Sequence, residues 1–134
     1  MTETEVRAFE REHLDEVLVL LRAEQWDTYT EDPERTYRVF TSPGSTTLVA
    51  VVEGVVAGLV QLQSDGEIQA HLSALLVGEG WRGRGLARRL LAEALRRAGG
   101  MRMDIISAAE DFYRGLGAES RPGFRLRPAD LARR

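Results

Sequence analysis

Four glycines fall within the eight residues Gly78-Glu79-Gly80-Trp81-Arg82-Gly83-Arg84-Gly85. Upstream lies an apolar, strand-like stretch, residues 68–77. Downstream, Leu86, Leu90, Leu91, Ala94, Leu95 and Ala98 recur at three- and four-residue spacing, which predicts a helix. A strand that enters a helix through a glycine turn leaves several backbone N–H groups unpartnered at the helix start. The aligned peptide dipoles add partial positive charge at the same place. Glycine lets the backbone approach a ligand closely, and Arg82 and Arg84 add fixed charge, so the stretch suits a phosphate group.

Three phosphate-binding arrangements compete for these residues. A nucleoside-triphosphate loop ends in Gly-Lys-Ser/Thr, and the chain has no lysine, all 18 of its basic residues being arginine. Residues 78–83 do spell the dinucleotide pattern G-x-G-x-x-G, with Asp104 at about the distance expected of a ribose-binding acid. Against it, Trp81 and Arg82 fill the positions where the helix should already pack on its strand, and too little chain follows to complete a dinucleotide-binding sheet. A plain turn capping a helix would not call for two arginines among the glycines.

Composition narrows the classes further. A chain of 134 residues is long enough for one core and too short for two, which predicts a single domain over residues 1–134. No apolar run nears the ~20 residues that span a bilayer, and the acidic N-terminus is unlike a signal peptide, so no membrane role is expected. Without cysteine there is no disulfide, thiol nucleophile or thiolate metal site, and the expected compartment is the cytoplasm. A net charge of −3 argues against nucleic-acid binding. No metal site is expected.

Periodicity places the elements in order. Residues 6–9 form a first strand, and residues 11–25 a helix with Leu14, Val17, Leu18 and Leu21 on one face. A loop over 26–32 leads to a short helix opened by Pro33. Residues 47–52 and 55–63 are β-branched strands joined at Glu53-Gly54, a two-residue hairpin signal, and a turn at 64–66 starts a third strand over 67–77. After the glycine stretch come a helix to residue 98, a strand over 101–106, a helix over 107–116 and a weak strand near 123–126.

Val77-x-x-x-x-Arg82-Gly83-x-Gly85-x-Ala87 resembles the coenzyme A motif of the GNAT superfamily of N-acetyltransferases, Arg/Gln-x-x-Gly-x-Gly/Ala. The order of elements extends the likeness to nearly the whole chain. The resemblance implies an α/β (α+β) GNAT fold, a mixed sheet in the order β-α-α-β-β-β-α-β-α-β. Its fourth and fifth strands splay apart, and the pantetheine arm of acetyl-CoA lies in the gap. By the same resemblance the backbone of Leu75 and Val77 would meet the thioester and the arm, with the Leu75 N–H polarising the acetyl carbonyl. Arg82, Gly83, Arg84, Gly85, Leu86, Ala87 and Arg88 would surround the pyrophosphate, and Trp26 and Tyr29 would sit in the loop over the acceptor.

The implied activity is N-acetyl transfer to a primary amine by direct attack in a ternary complex, since no cysteine can carry the acyl group. A net-negative chain suits a cationic amine. The alternatives are a non-catalytic coenzyme A-binding regulatory or interaction module and, more remotely, a dinucleotide-binding protein. Phe112-Tyr113-Arg114-Gly115-Leu116-Gly117-Ala118 resembles the family's second motif, which makes Tyr113 the expected acid for the departing thiolate; the asparagine common there falls at Ile106 and is missing. Strict alternation along residues 67–77 puts Gln69, His71, Ser73, Leu75 and Val77 on one face, with His71 about 13 Å from Leu75 at ~3.3 Å per residue. His71 is therefore the candidate base, with Glu67 as substitute. Pairing of the weak last strand with a second copy would give a homodimer.

Overall fold

The structure, a computed structural model, describes residues 3–132. Strand β1 (Thr4–Ala8) leads through a 3-10 turn into helix α1 (Leu14–Ala23). A short turn of helix, α2 (Asp27–Thr30), stands where a loop was expected, and α3 (Pro33–Phe40) follows. Pro33 occupies the first turn of α3, and the Asp32 carboxylate caps it by accepting from the Arg35 N–H at 3.1 Å. Strands β2 (Ser45–Val52) and β3 (Val55–Ser64) form the expected hairpin. Its two turn residues, Glu53 and Gly54, both have positive φ, 50° and 81°, as a two-residue turn of this kind requires.

β4 (Gln69–Val77) begins two residues later than its apolar pattern suggested. The Asp65 carboxylate accepts from the N–H groups of Glu67, Ile68 and Gln69 at 2.9, 2.8 and 3.2 Å, holding that stretch in the turn. Those bonds also hold the Asp65 pKa below its ordinary value. Helix α4 (Leu86–Ala98), β5 (Arg102–Ile105), α5 (Glu110–Gly115) and a short α6 (Pro128–Leu131) complete the described chain. The weak strand expected near 123–126 is absent among the described residues. No backbone group of 119–126 bonds to another element there, and that run is exposed throughout.

The five strands make one sheet in sequence order, antiparallel except for the parallel pair β4–β5. Leu14, Val17, Leu18 and Leu21 of α1 and Phe40 of α3 bury one sheet face together with Val49, Leu59, Ala74 and Leu76. Leu90, Leu91 and Ala94 of α4 bury the other, over Leu48, Ala50, Val60, Leu62 and Leu72. α5 packs at the edge of that second cluster through Tyr113 and Leu116.

Two irregularities shape the site. In β4, Ala74 pairs with Gln61 and Leu72 with Leu62, so Ser73 has no opposite residue. One extra residue in a strand inverts the alternation beyond it. Leu72 therefore faces α4 together with Leu75, whereas Ala74 and Leu76 face α1. His71, opposite Gln63, falls on the α1 side and not on the face of Leu75, which corrects the uninterrupted alternation expected from sequence. The second irregularity is that β4 and β5 pair only from Gln69↔Arg102 to Leu72↔Ile105. β4 runs on to Val77 without a neighbour on that side among the described residues, so the two strands part as anticipated.

Candidate active site

The parting of β4 and β5 opens a cavity of about 890 Å³. Leu75, Leu76 and Val77 form its β4 wall, and residues 106–109 with Phe112 and Tyr113 form the opposite one. Its far end is the start of α4, with Arg82, Gly83, Gly85, Leu86, Ala87 and Arg88; Glu24 and Trp26 close it at the end of α1.

The turn before α4 is fixed by what precedes it. Gly58 pairs with Val77 and Val56 with Val51, leaving Ala57 outside the β2–β3 register. Its carbonyl is thereby available to accept the Gly78 N–H at 2.8 Å, which anchors the start of the turn to β3. Gly83 and Gly85 then adopt left-handed φ of 78° and 79°, and a Cβ on either would meet nothing within 4 Å. No side chain caps α4, its first turn holds no acid, and its first intrahelical bond is Arg89 N–H to Gly85 carbonyl at 3.1 Å. The N–H groups of Leu86, Ala87 and Arg88 thus face open space in the positive end of a 13-residue helix, a disposition that accepts an anion.

The arginines of the turn make different contacts. Arg82 lines the cavity, but its Nε donates to the Val77 carbonyl at 3.0 Å and its Nη2 to Glu24, so its guanidinium ties the turn to the end of α1. Arg84 lies over the Trp81 ring, 5.1 Å from the centroid, and borders a smaller recess of about 230 Å³ with Arg89, Thr4 and Val52. Arg88 lines the main cavity and makes no ion pair among the described residues.

Tyr113 is half-buried, with its ring edge-on to Phe112 at 5.0 Å between centroids. Burial pushes its hydroxyl pKa up, partly offset by Ser107, so the group keeps its proton. Ile106 is part of the apolar lining where the family pattern has a polar residue. Trp26 reaches the cavity, but Tyr29 does not: its ring packs 5.8 Å from both Trp26 and Phe40, and burial raises its hydroxyl pKa. His71 and Glu67 are exposed and outside the cavity lining. Sequence reasoning missed Glu24 and Leu76. The first is an unremarkable polar residue at a helix end, and the second is a core residue of β4 whose neighbourhood to the gap is set by where β5 stops pairing.

A strand-to-helix turn with free amides, opening into a gap between two parting strands, defines a protein that can hold an extended, phosphate-bearing ligand with its tail between the strands. Residues 7–118 match the acetyltransferase (GNAT) family, and the chain belongs to it. Among solved structures it resembles the aminoglycoside N-acetyltransferase AAC(6')-Iy in complex with CoA, at 20% identity and TM-score 0.75 over 96% of this chain and 97% of that one. An acetyltransferase of Trypanosoma brucei matches at 20% identity and TM-score 0.75, over 93% and 99%. A GNAT family protein of Streptococcus pneumoniae matches at 20% and 0.73, over 96% and 99%. No curated protein matches the sequence. Among the described residues, no helix is long and apolar enough to cross a membrane, and no cluster of potential metal ligands is found.

Proposed function

We propose that this chain is an acetyl-CoA-dependent N-acetyltransferase that acetylates a primary amine by direct attack. The observation that carries the reading is the continuity of the cavity from the start of α4, past Leu75 and Val77, to Tyr113. Acetyl-CoA supplies an activated thioester. The chain's own contribution is to hold and orient it: the amides of residues 86–88 and the Arg88 guanidinium suit a pyrophosphate, and the apolar walls of β4 and Ile106 suit a pantetheine chain. Their fit rests on the open space at Gly83 and Gly85, which leaves the helix start reachable. Bringing thioester and amine together in one cavity supplies much of the rate.

Tyr113, a cavity-lining residue kept protonated by its surroundings, gives a proton to the departing thiolate in this reading. The amine enters from the α1 end, where the Trp26 ring offers a face to a cation and the Glu24 carboxylate is already paired with Arg82. AAC(6')-Iy, the aminoglycoside acetyltransferase of similar fold, has been seen with a bisubstrate analog joining CoA to an acetylneamine, a ligand that requires both sites to be filled at once. That supports a ternary complex and a polycationic amine as a first acceptor to try. His71 is exposed and outside the cavity lining, so deprotonation of the amine is left to solvent.

The test is release of free thiol from acetyl-CoA across a panel of amines that includes aminoglycosides. Amine-dependent release with an acetylated product is expected. Tight coenzyme A binding with no acetylated amine would support the non-catalytic module instead.

A further inference from the structure

Among the described residues that line the main cavity, Glu24 is the single carboxylate, and it shares that lining with Arg82 and Arg88. It stands at the C-terminal end of α1, where the Gln25 and Trp26 N–H groups turn back to the Arg22 and Leu21 carbonyls, each at 3.0 Å. That end of a helix carries partial negative charge, so a carboxylate there gains nothing from the dipole and calls for a cation. Gln25 has a φ of 60°, left-handed for a residue with a side chain, and the turn it makes brings Trp26 to the cavity beside Glu24. A carboxylate, a helix C-terminus and an indole face thus meet at one end of the cavity, and each favours positive charge.

The cation at that place is the chain's own Arg82. The two side chains are 53% and 37% exposed, and exposed pairs are weak, so the pairing is readily exchanged. Arg82 is held to β4 separately, by its Nε donating to the Val77 carbonyl at 3.0 Å, so its terminal nitrogens can change partner while the side chain stays on the turn. A guanidinium has five N–H groups, and among the described residues Val77 and Glu24 take one each. A pyrophosphate at the start of α4 competes for the same fork, and the two anions repel one another across it.

We infer that Glu24 exchanges partners as the cavity fills: a pyrophosphate draws the Arg82 terminal nitrogens, and the released carboxylate takes an ammonium group of the acceptor beside the Trp26 ring. The nitrogen that attacks the thioester must be neutral, and a carboxylate bonded to it would keep it protonated. The ammonium held by Glu24 is therefore a second one, which makes Glu24 a specificity-determining residue for acceptors with two or more amines. Because the cation relieves the repulsion between Glu24 and the pyrophosphate, each ligand favours binding of the other by the same factor. The inference rests on the acetyl-transfer reading of this cavity and deepens it.

Isothermal titration with coenzyme A reads both halves of the exchange. Glu24→Gln keeps the shape and removes the charge, and it should tighten coenzyme A about two- to fivefold, the strength of an exposed ion pair that no longer opposes binding. Glu34→Gln, which takes one charge from the exposed pair with Arg11, should leave that affinity as it is. Millimolar cadaverine, which carries two primary amines, should tighten coenzyme A on the wild-type protein about fivefold, near the low end for coupled sites. The diol of the same chain length should have no effect, and in Glu24→Gln the cadaverine effect should vanish. Wild-type protein that binds no coenzyme A overturns this inference together with the acetyl-transfer reading. Coenzyme A binding that Glu24→Gln weakens or leaves unchanged overturns this inference alone, because Glu24 then does no more than aim Arg82. So does a cadaverine effect that is missing from the wild type, or that persists in Glu24→Gln at matched ionic strength.

Discussion

Replacing Gly85 by alanine, with Gly66→Ala as its control, isolates the part of the proposed phosphate site that is backbone alone. Both glycines have left-handed φ, 79° and 84°, and at both an added Cβ would meet nothing within 4 Å. Each substitution therefore costs only the strain of an L-residue in that conformation, about 1–2 kcal/mol. The two variants should lose similar stability, with melting temperatures lower by several degrees. They differ in what surrounds the new methyl. Gly66 lies in the β3–β4 turn near the C-terminal end of α4, where its carbonyl approaches Gly99, whereas Gly85 borders the cavity at the helix start. A methyl there obstructs an anion on the amides of residues 86–88. Hydrogen bonds to a charged group contribute about 1.5–3 kcal/mol each, so the loss of one weakens binding about 10- to 100-fold. Isothermal titration with coenzyme A reads this directly, and differential scanning fluorimetry reads the matched strain. If Gly85→Ala binds coenzyme A as tightly as Gly66→Ala does, the main-chain amides are not the phosphate ligands and the assignment of the turn fails.

Tyr113→Phe should lower kcat about 100-fold or more while coenzyme A affinity stays within about twofold, since a positioned acid contributes to proton transfer and not to holding the cofactor. Because burial raises the Tyr113 pKa, the wild-type rate should keep its acid-dependent plateau past the free tyrosine value of about 10 and fall only above it; the phenylalanine variant should lack that limb in its pH profile. His71→Gln should change kcat less than about threefold, because the β4 bulge turns that side chain away from Leu75; a loss near that of Tyr113→Phe would restore it as the base. Leu90, fully buried between α4 and the sheet, should cost about 2–5 kcal/mol when cut to alanine, read as a shifted urea midpoint with an unchanged slope.

What the sequence revealed and what it hid follow from how local each determinant is. The glycine turn, the Pro33 helix start and the Glu53-Gly54 hairpin are each set by a few adjacent residues whose backbone preferences survive in any context, and all three stand where expected. The parting of β4 from β5 could be anticipated only through the family likeness, because nothing within residues 73–77 says that their outer edge lacks a neighbour. The bulge at Ser73 is a property of pairing between two strands. Residues 69–77 alternate well enough to pass for a regular strand, and only the register against β3 shows the phase slip that carries His71 to the other face. Arg82 illustrates the same limit for charge. Its place in the motif marks it for a phosphate, but Glu24, 58 residues earlier, competes for the guanidinium, and that competitor becomes visible only once α1 is folded against the turn. The C-terminal segment marks the far end of this scale: its alternation is legible, but a strand pattern names no partner, and the structure leaves Phe124 and Leu126 facing solvent beside an open edge. Local chemistry thus fixes where a ligand can be held, while the direction in which side chains act upon it is decided by contacts between distant parts of the chain.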